Sequence, residues 1–331
     1  MPSAPLEQEG RDAAAPRIAL VGGTGPVGAS IGAALAAAGT PFAVIGRSAE
    51  GIARRFPELP ASAARAWNPD DPASIRAAVR GFETLVYMLG VPYHAFALHP
   101  ELMRRTLAAA EAEGVRRLLL IGTAYPFGRP RTPKVDETHP REPHTFKGRM
   151  RKQQEDLVLA AHAEGRIATT ILRLPDFYGP GVANSYLADI FAAAATGRRA
   201  KVMGPIDVPH EFVFVPDVGP VVRALLEQEE AFGHSFNLAG AGTITVRQVA
   251  EEAFALNRAP PRLLVANRWM LRLAGLFDPM MRELVEMHYL MTDPVIFDDA
   301  ALTRQIGPIA KTPYAQGIAR CVAAAQKAAR G

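Results

Sequence analysis

The chain has 331 residues, of which 49% are hydrophobic and 21% charged, with a formal net charge of +4 and a pI near 9.3. That length suits one large α/β domain, or a domain with a sizeable appendage, and the composition excludes a wholly disordered chain. A single cysteine, Cys321, excludes an intrachain disulfide and a paired-cysteine metal site, and no apolar run approaches the roughly 20 residues of a membrane helix.

Residues 1–15 are polar and Ala/Pro-rich without an apolar centre, and read as a loose tail instead of a signal peptide. Ile18–Val21 is a short apolar strand that runs into glycines. Residues 29–38 are helical in composition, with Gly39 as the C-cap, and 41–45 form a second apolar strand. Strand, glycine turn, helix and strand in about 30 residues make a βαβ unit. The alternation continues as helix 73–80, strand 84–89, helix 102–113 with Gly114 behind it, strand 117–121, helix 149–164 and strand Ala168–Leu174. Strands with few polar residues, separated by helices, imply a parallel sheet covered on both faces.

After Leu174 the rhythm changes. Residues 175–210 are rich in Gly and Pro, with one helix at 186–195. The apolar run 211–215 and the helix 218–227 are expected to return to the main sheet. Residues 235–310 look irregular, with a strand near Phe236 and helices at 246–256 and 268–291. The basic cluster Lys147, Arg149, Arg151 and Lys152 reads as a solvated helix face, so nothing requires nucleic-acid binding. Cys321, in an Ala-rich segment, reads as a packing residue, and a reducing compartment fits.

The segment Val21-Gly22-Gly23-Thr24-Gly25-Pro26-Val27-Gly28 follows a strand and opens a helix. Glycines at these positions allow a tight turn and a close backbone approach to a pyrophosphate, and the helix N-terminus offers free amides and partial positive charge. We read it as a dinucleotide-binding loop. The second strand ends at Gly46-Arg47-Ser48, where NAD-binding units carry an acidic residue for the ribose 2′-hydroxyl. A guanidinium there suits the 2′-phosphate of NADP, with Ser48 as a further donor, so NADP(H) is favoured over NAD(H). The alternative is an exposed arginine, with the acidic role taken by Glu50. Asn68 or Asp71 caps the helix at 73–80, and their loop lies near the adenine.

These features resemble the short-chain dehydrogenase/reductase superfamily in its extended or atypical branch, and most of all the NAD-dependent epimerase/dehydratase-like group. The resemblance spans roughly 17–323 and rests on the glycine loop, on the strand from Thr84 with Gly90, and on Ile121-Gly122-Thr123-Ala124-Tyr125-Pro126-Phe127-Gly128. It rests further on Leu172-Arg173-Leu174-Pro175-Asp176-Phe177-Tyr178-Gly179-Pro180 and His210-Glu211-Phe212-Val213-Phe214-Val215-Pro216-Asp217-Val218. It implies an α/β fold: a doubly wound parallel (Rossmann) sheet with a smaller interleaved C-terminal substrate lobe. The expected division is a tail at 1–15, a dinucleotide-binding domain at 16–175 rejoined by 211–230, and a lobe made of 176–210 and 235–331.

The resemblance also implies site roles. Leu89 and Gly90 lie beside the nicotinamide ribose, Thr123 hydrogen-bonds the substrate oxygen, and Pro175 to Tyr178 lie over the nicotinamide. Gly22, Thr24, Gly25, Pro26, Val27, Gly28, Arg47, Ser48, Asn68, Leu89, Gly90, Arg151 and Pro175 form the expected cofactor site, and Thr123 is a catalytic candidate. The family's Tyr-x-x-x-Lys pair falls on Lys147 and Arg151, so the tyrosine is absent. Three readings stay open: Lys147 supplies the proton, as in atypical reductases of lignan-like compounds; Tyr125 or Tyr93 does; or turnover has been lost, leaving a redox sensor. Arg151 can hold ribose hydroxyls or phosphate, but a guanidinium is a poor base.

Residues 269–291 carry Trp269, Met270, Leu271, Leu273, Leu276, Phe277, Met280, Met281, Met287, Tyr289 and Met291, among Arg268, Arg272 and Arg282. Such a segment can wrap an apolar substrate, pack as an ordinary helix or form a homodimer contact. The expectation is a cytoplasmic NADP(H)-dependent oxidoreductase acting on a small apolar carbonyl or conjugated substrate, without a metal. The alternatives are a sensor without turnover and an NAD-dependent sugar-nucleotide epimerase or dehydratase.

Overall fold

Alternate residues of the short apolar strands must bury side chains on opposite faces, and they do. In this computed structural model, which describes residues 17–267, 269, 270, 273, 276, 283 and 285–330, Val21, Ile45, Tyr87 and Leu120 belong to one core cluster. Their chain neighbours Leu20, Val44, Val86 and Leu119 belong to a second. Each fully buried Leu, Ile or Val adds about 1.5–3 kcal/mol. The tail 1–15 lies outside the described residues, as do Arg268, Leu271, Arg272, Phe277, Met280, Met281 and Arg282.

The strands are β1 (Ile18–Val21), β2 (Phe42–Gly46), β3 (Ala64–Ala66), β4 (Thr84–Tyr87), β5 (Arg117–Thr123), β6 (Ala168–Leu174), β7 (Asp176–Tyr178), β8 (Ala200–Met203), β9 (Pro209–Phe214), β10 (Ser235–Asn237), β11 (Thr243–Thr245) and β12 (Leu263–Ala266). Seven of them form one parallel sheet in the order β10-β6-β5-β4-β1-β2-β3. The chain leaves β1 towards β2 and β3, then crosses back to β4, so the order reverses between β1 and β4. That is the doubly wound α/β fold expected, with its crevice at the carboxyl ends of β1 and β4.

Helices α1 (Pro26–Ala37), α2 (Ala49–Arg55), α3 (Pro72–Val79), α4 (Leu98–Ala112) and α5 (Phe146–Ala163) connect these strands. Later come α6 (Ala188–Thr196), α7 (Val215–Leu226) and α8 (Val246–Ala255). Helix α1 begins three residues before the expected start, because Pro26 in the first turn loses no helical hydrogen bond. Helix α5 also starts early, where the Thr145 hydroxyl accepts the Gly148 N–H at 3.0 Å. Helix α7 packs on α1, where the Ser30 hydroxyl accepts the Gly219 N–H at 2.9 Å and donates to the Pro216 carbonyl at 3.2 Å.

Two expectations need correction. The run 211–215 does not rejoin the main sheet: β9 pairs parallel with β7 and antiparallel with β11 in a separate three-stranded sheet. Phe212 and Phe214 bury into a third core while Val213 faces the second, so β9 must sit between two cores. The strand beside β6 is instead β10, from the segment assigned to the lobe. The second correction concerns the basic cluster. Lys147 and Arg151, four residues apart on one face of α5, are buried, and only Arg149 is exposed. Cys321 packs in the third core, its thiol pushed by burial to about 12.

Candidate functional site

Parallel strands bring all their carboxyl ends to one edge, and the sequence-predicted site residues line up along it. In strand order they are Arg47 after β2, the glycine loop after β1, Leu89 and Gly90 after β4, Thr123 at the end of β5 and Pro175 after β6. From β2 to β5 is three strand spacings, about 14 Å at about 4.8 Å each. An elongated ligand is implied, with Arg47 and Thr123 at opposite ends.

The loop fits a diphosphate. Gly22 has φ +77°, and a Cβ there would lie 2.7 Å from Leu89 Cα, so only glycine lets the β1 and β4 loops touch. A Cβ on Gly28 would lie 2.0 Å from the Gly23 carbonyl oxygen, so the loop folds flat against the first turn of α1. Gly25 is the N-cap, no side chain caps the helix, and a Cβ there would meet nothing within 4 Å. The first-turn amides at Val27 and Gly28 have no side-chain cap, as an anion site at a helix N-terminus requires.

Arg47 is exposed and makes no hydrogen bond or ion pair among the described residues. Its neighbours are committed. Ser48 caps α2, accepting the Gly51 N–H at 3.1 Å, and Glu50 pairs with Arg54. Asp71 is the cap of α3, while Asn68 turns its own loop by accepting the Asp70 N–H at 3.0 Å.

Beyond the β5 end lies a cavity of about 50 Å³ walled by Thr123, Tyr125, Asp176, His210, Glu211 and Val295, among others. The Thr123 hydroxyl accepts only a long bond, 3.4 Å, from the Tyr125 N–H. The Tyr125 and Tyr93 hydroxyls lie 3.3 Å apart. Burial pushes the Tyr125 and Tyr186 phenols well above their ordinary value, so they stay neutral donors at physiological pH. Burial also raises the Asp176 carboxyl to about 7 and lowers the His210 imidazole to about 4, the latter opposed by a bond to the Met291 backbone. His210 Nε2 is buried without a partner. Glu211 is likewise raised to about 7 by burial, opposed by backbone amides of Phe297 and Gly240 and by Lys311. Among the described residues, no group of three or more His, Cys, Asp or Glu could hold a metal ion.

Lys147, which the resemblance sets at the tyrosine position, is not in that wall. Its side chain is 0% exposed, and Nζ bonds the carboxylates of Glu283 and Glu286, the latter at 2.5 Å. The Glu286 carboxylate also accepts the Lys147 backbone N–H at 2.9 Å, and Nζ sits 5.6 Å from the Tyr93 ring centre. Arg151 is equally engaged: it donates to the Ile121 carbonyl at 3.1 Å and lies 3.2 Å from His99 Nδ1, and burial lowers its pKa. Sequence reasoning gave no role to His210, Glu211, Tyr186, Glu283 or Glu286. Most of their contacts join segments 80 to 140 residues apart, for which no local pattern exists.

Lys147→Met is expected to cost about 2–4 kcal/mol, since it strands two carboxylates at the mouth of a buried site. Adding Glu283→Gln and Glu286→Gln should return most of that loss in urea melts. A triple variant no more stable than Lys147→Met would show that the clamp carries no coupling.

Comparison with known proteins agrees with this geometry. The chain is 28% identical over 221 residues to dTDP-6-deoxy-L-talose 4-dehydrogenase (NAD(P)(+)) of Kitasatospora kifunensis, covering 61% of this chain and 67% of that protein. Its fold is similar to UDP-glucuronic acid 4-epimerase from Bacillus cereus, solved with NAD (TM-score 0.76, 13% identity, 94% of this chain and 99% of that one). It is similar also to dTDP-glucose 4,6-dehydratase from Streptomyces venezuelae, solved with NAD (TM-score 0.76, 16% identity, 94% and 97%). The sequence model of the NAD dependent epimerase/dehydratase family matches residues 18–239, and the chain belongs to that family.

Proposed function

We propose that this chain is an NAD(P)-dependent oxidoreductase acting on a carbinol or keto carbon of a hydroxyl-rich substrate of the sugar-nucleotide class. The observation that carries the reading is the cavity wall beside Thr123. It presents the Asp176 carboxyl, with no hydrogen-bond partner among the described residues, and the unpartnered Nε2 of His210. An apolar carbonyl or conjugated substrate, suggested by the Met-rich segment, would leave both groups buried and unsatisfied, at about 1–3 kcal/mol each. Hydroxyl groups of a sugar satisfy them.

The amides of Val27 and Gly28 hold the diphosphate, and Arg47, exposed at the end of β2, meets the 2′-phosphate of NADP. The dinucleotide, when bound, supplies the hydride acceptor or donor. Thr123 orients the reacting oxygen. Lys147 acts as a positioning residue, tying α5 to Glu283 and Glu286. The cavity of about 50 Å³ is far below the roughly 300–1,000 Å³ of ligand sites. Entry of a sugar therefore requires the wall of Leu290, Pro294 and Val295 to withdraw.

Fluorescence titration of NADPH and NADH tests the cofactor half. Wild type is expected to favour NADPH at least tenfold, and Arg47→Asp to lose that preference, consistent with about 1.5–3 kcal/mol for a charge-assisted bond. An unchanged preference removes Arg47 from cofactor selection. Absorbance at 340 nm with NAD or NADP and a panel of UDP- and dTDP-hexoses tests the substrate half. Binding without turnover across that panel would leave a sensor in place of an enzyme.

A further inference from the structure

The cavity wall holds an acid–base group that the family's missing tyrosine does not explain. We propose that Asp176 is the proton-transferring residue of this site and that His210 holds a neighbouring hydroxyl of the same substrate. This rests on the hydroxyl-rich substrate proposed above.

The argument is by elimination among the groups that face Asp176. They are Tyr93 from the loop after β4, Tyr125 from the turn after β5, Tyr186 ahead of α6, Tyr289, and His210 and Glu211 from β9. The four phenols are each raised above 10 by burial, so none accepts a proton near neutrality. Lys147 reaches Tyr93 by its ring face but spends its ammonium on Glu283 and Glu286, outside the wall. Glu211 titrates in the right range but is tied to the Phe297 N–H at 2.9 Å and serves the packing of β9. Asp176 shares the wall with Thr123, keeps its lone pairs free, and is half-buried because it opens on the cavity.

His210 is suited to bind and not to titrate. Its ring is neutral, and one nitrogen is engaged with the Met291 backbone. The proton belongs on that nitrogen, which leaves Nε2 as an acceptor for a hydroxyl.

In the oxidative direction the carbinol C–H bond would break with its electron pair leaving as hydride, for which NAD(P)+, when bound, would be the acceptor. The O–H proton passes to an Asp176 carboxylate oxygen, and the oxygen lone pair closes the C=O bond. Reduction runs the same transfers backwards, with protonated Asp176 returning its proton to the alkoxide while Thr123 holds that oxygen.

The first test needs no substrate. Melting temperatures of wild type and Asp176→Asn are compared from pH 4 to pH 8. A carboxyl whose pKa rises from 3.8 unfolded to about 7 folded costs stability progressively across that interval. The two proteins should melt together near pH 4, and the variant should melt several degrees higher at pH 8. A gap that does not grow with pH overturns the unpartnered carboxyl and the proposal with it.

The second test uses whichever UDP- or dTDP-hexose the wild type turns over. Asp176→Asn should lower kcat at least 100-fold with NADPH affinity unchanged, and should lose the acid limb of oxidation near pH 7. Asp176→Glu should recover part of the rate. His210→Phe should raise KM roughly tenfold while keeping the acid limb. An Asp176→Asn variant with wild-type kcat, or with the limb intact, overturns the proposal. A wild type that binds dinucleotide yet oxidises no sugar overturns the substrate reading instead, and the proton-transfer role falls with it.

Discussion

Glu155→Ala is expected to remove about 3–5 kcal/mol of stability. Glu155 on α5 and Arg173 on β6 are each 2% exposed and paired at 2.9 Å, with a second contact through Arg173 Nε at 3.0 Å. Arg141 adds a third cation-bearing contact at 3.2 Å. Deleting the carboxylate removes the paired counter-charge of a guanidinium that is 2% exposed and packed 5.1 Å from the Phe127 ring centre. Glu155→Gln keeps one acceptor oxygen for Arg173 and fills the space, and should cost less. Glu155→Ala with Arg173→Leu should recover part of the loss, because an apolar pair needs no desolvation. Urea unfolding measures all three. A Glu155→Ala loss below 1 kcal/mol would mean that water reaches Arg173.

The second large effect separates binding from folding within one loop. Gly28→Ala places a methyl 2.0 Å from the Gly23 carbonyl oxygen, so the loop must open. Dinucleotide affinity should fall at least 100-fold, about 2.8 kcal/mol at about 1.4 kcal/mol per tenfold, with a stability loss of about 1–3 kcal/mol. Gly25→Ala should behave differently. Its φ of −76° suits alanine and its Cβ meets nothing within 4 Å, so melting should hardly change. Its methyl projects where the diphosphate must approach, so affinity should still fall tenfold or more. Calorimetric titration with NADPH beside thermal melts checks both. Unaltered affinity in Gly25→Ala would place the ligand away from this loop.

Strands β1, β2, β4, β5 and β6, the glycine loop and the position of Thr123 were legible in the chain because they are set by local rules. An apolar run with glycine behind it has few conformations, and a βαβ crossover leaves one handedness. The pieces read poorly were short or shared. Strands β3, β8 and β12 have three or four residues and too little alternation to register. Strand β9 was legible as a strand, but not its sheet, since its apolar residues serve two cores.

The cationic stretch at 147–152 shows the limit most directly. Its charges suggest a wet surface, and composition alone supports that. Whether a lysine is solvated depends on what arrives across the helix, and here Glu283 and Glu286 arrive from more than a hundred residues away.

What the sequence determined by itself is the dinucleotide crevice: strand, glycines and helix are contiguous, so their geometry follows from backbone sterics and helix ends. What only the tertiary structure decided is which titratable side chains are buried and which are paired. Protonation depends on burial and on neighbours brought by long-range packing, and these free Asp176 while they tie down Lys147.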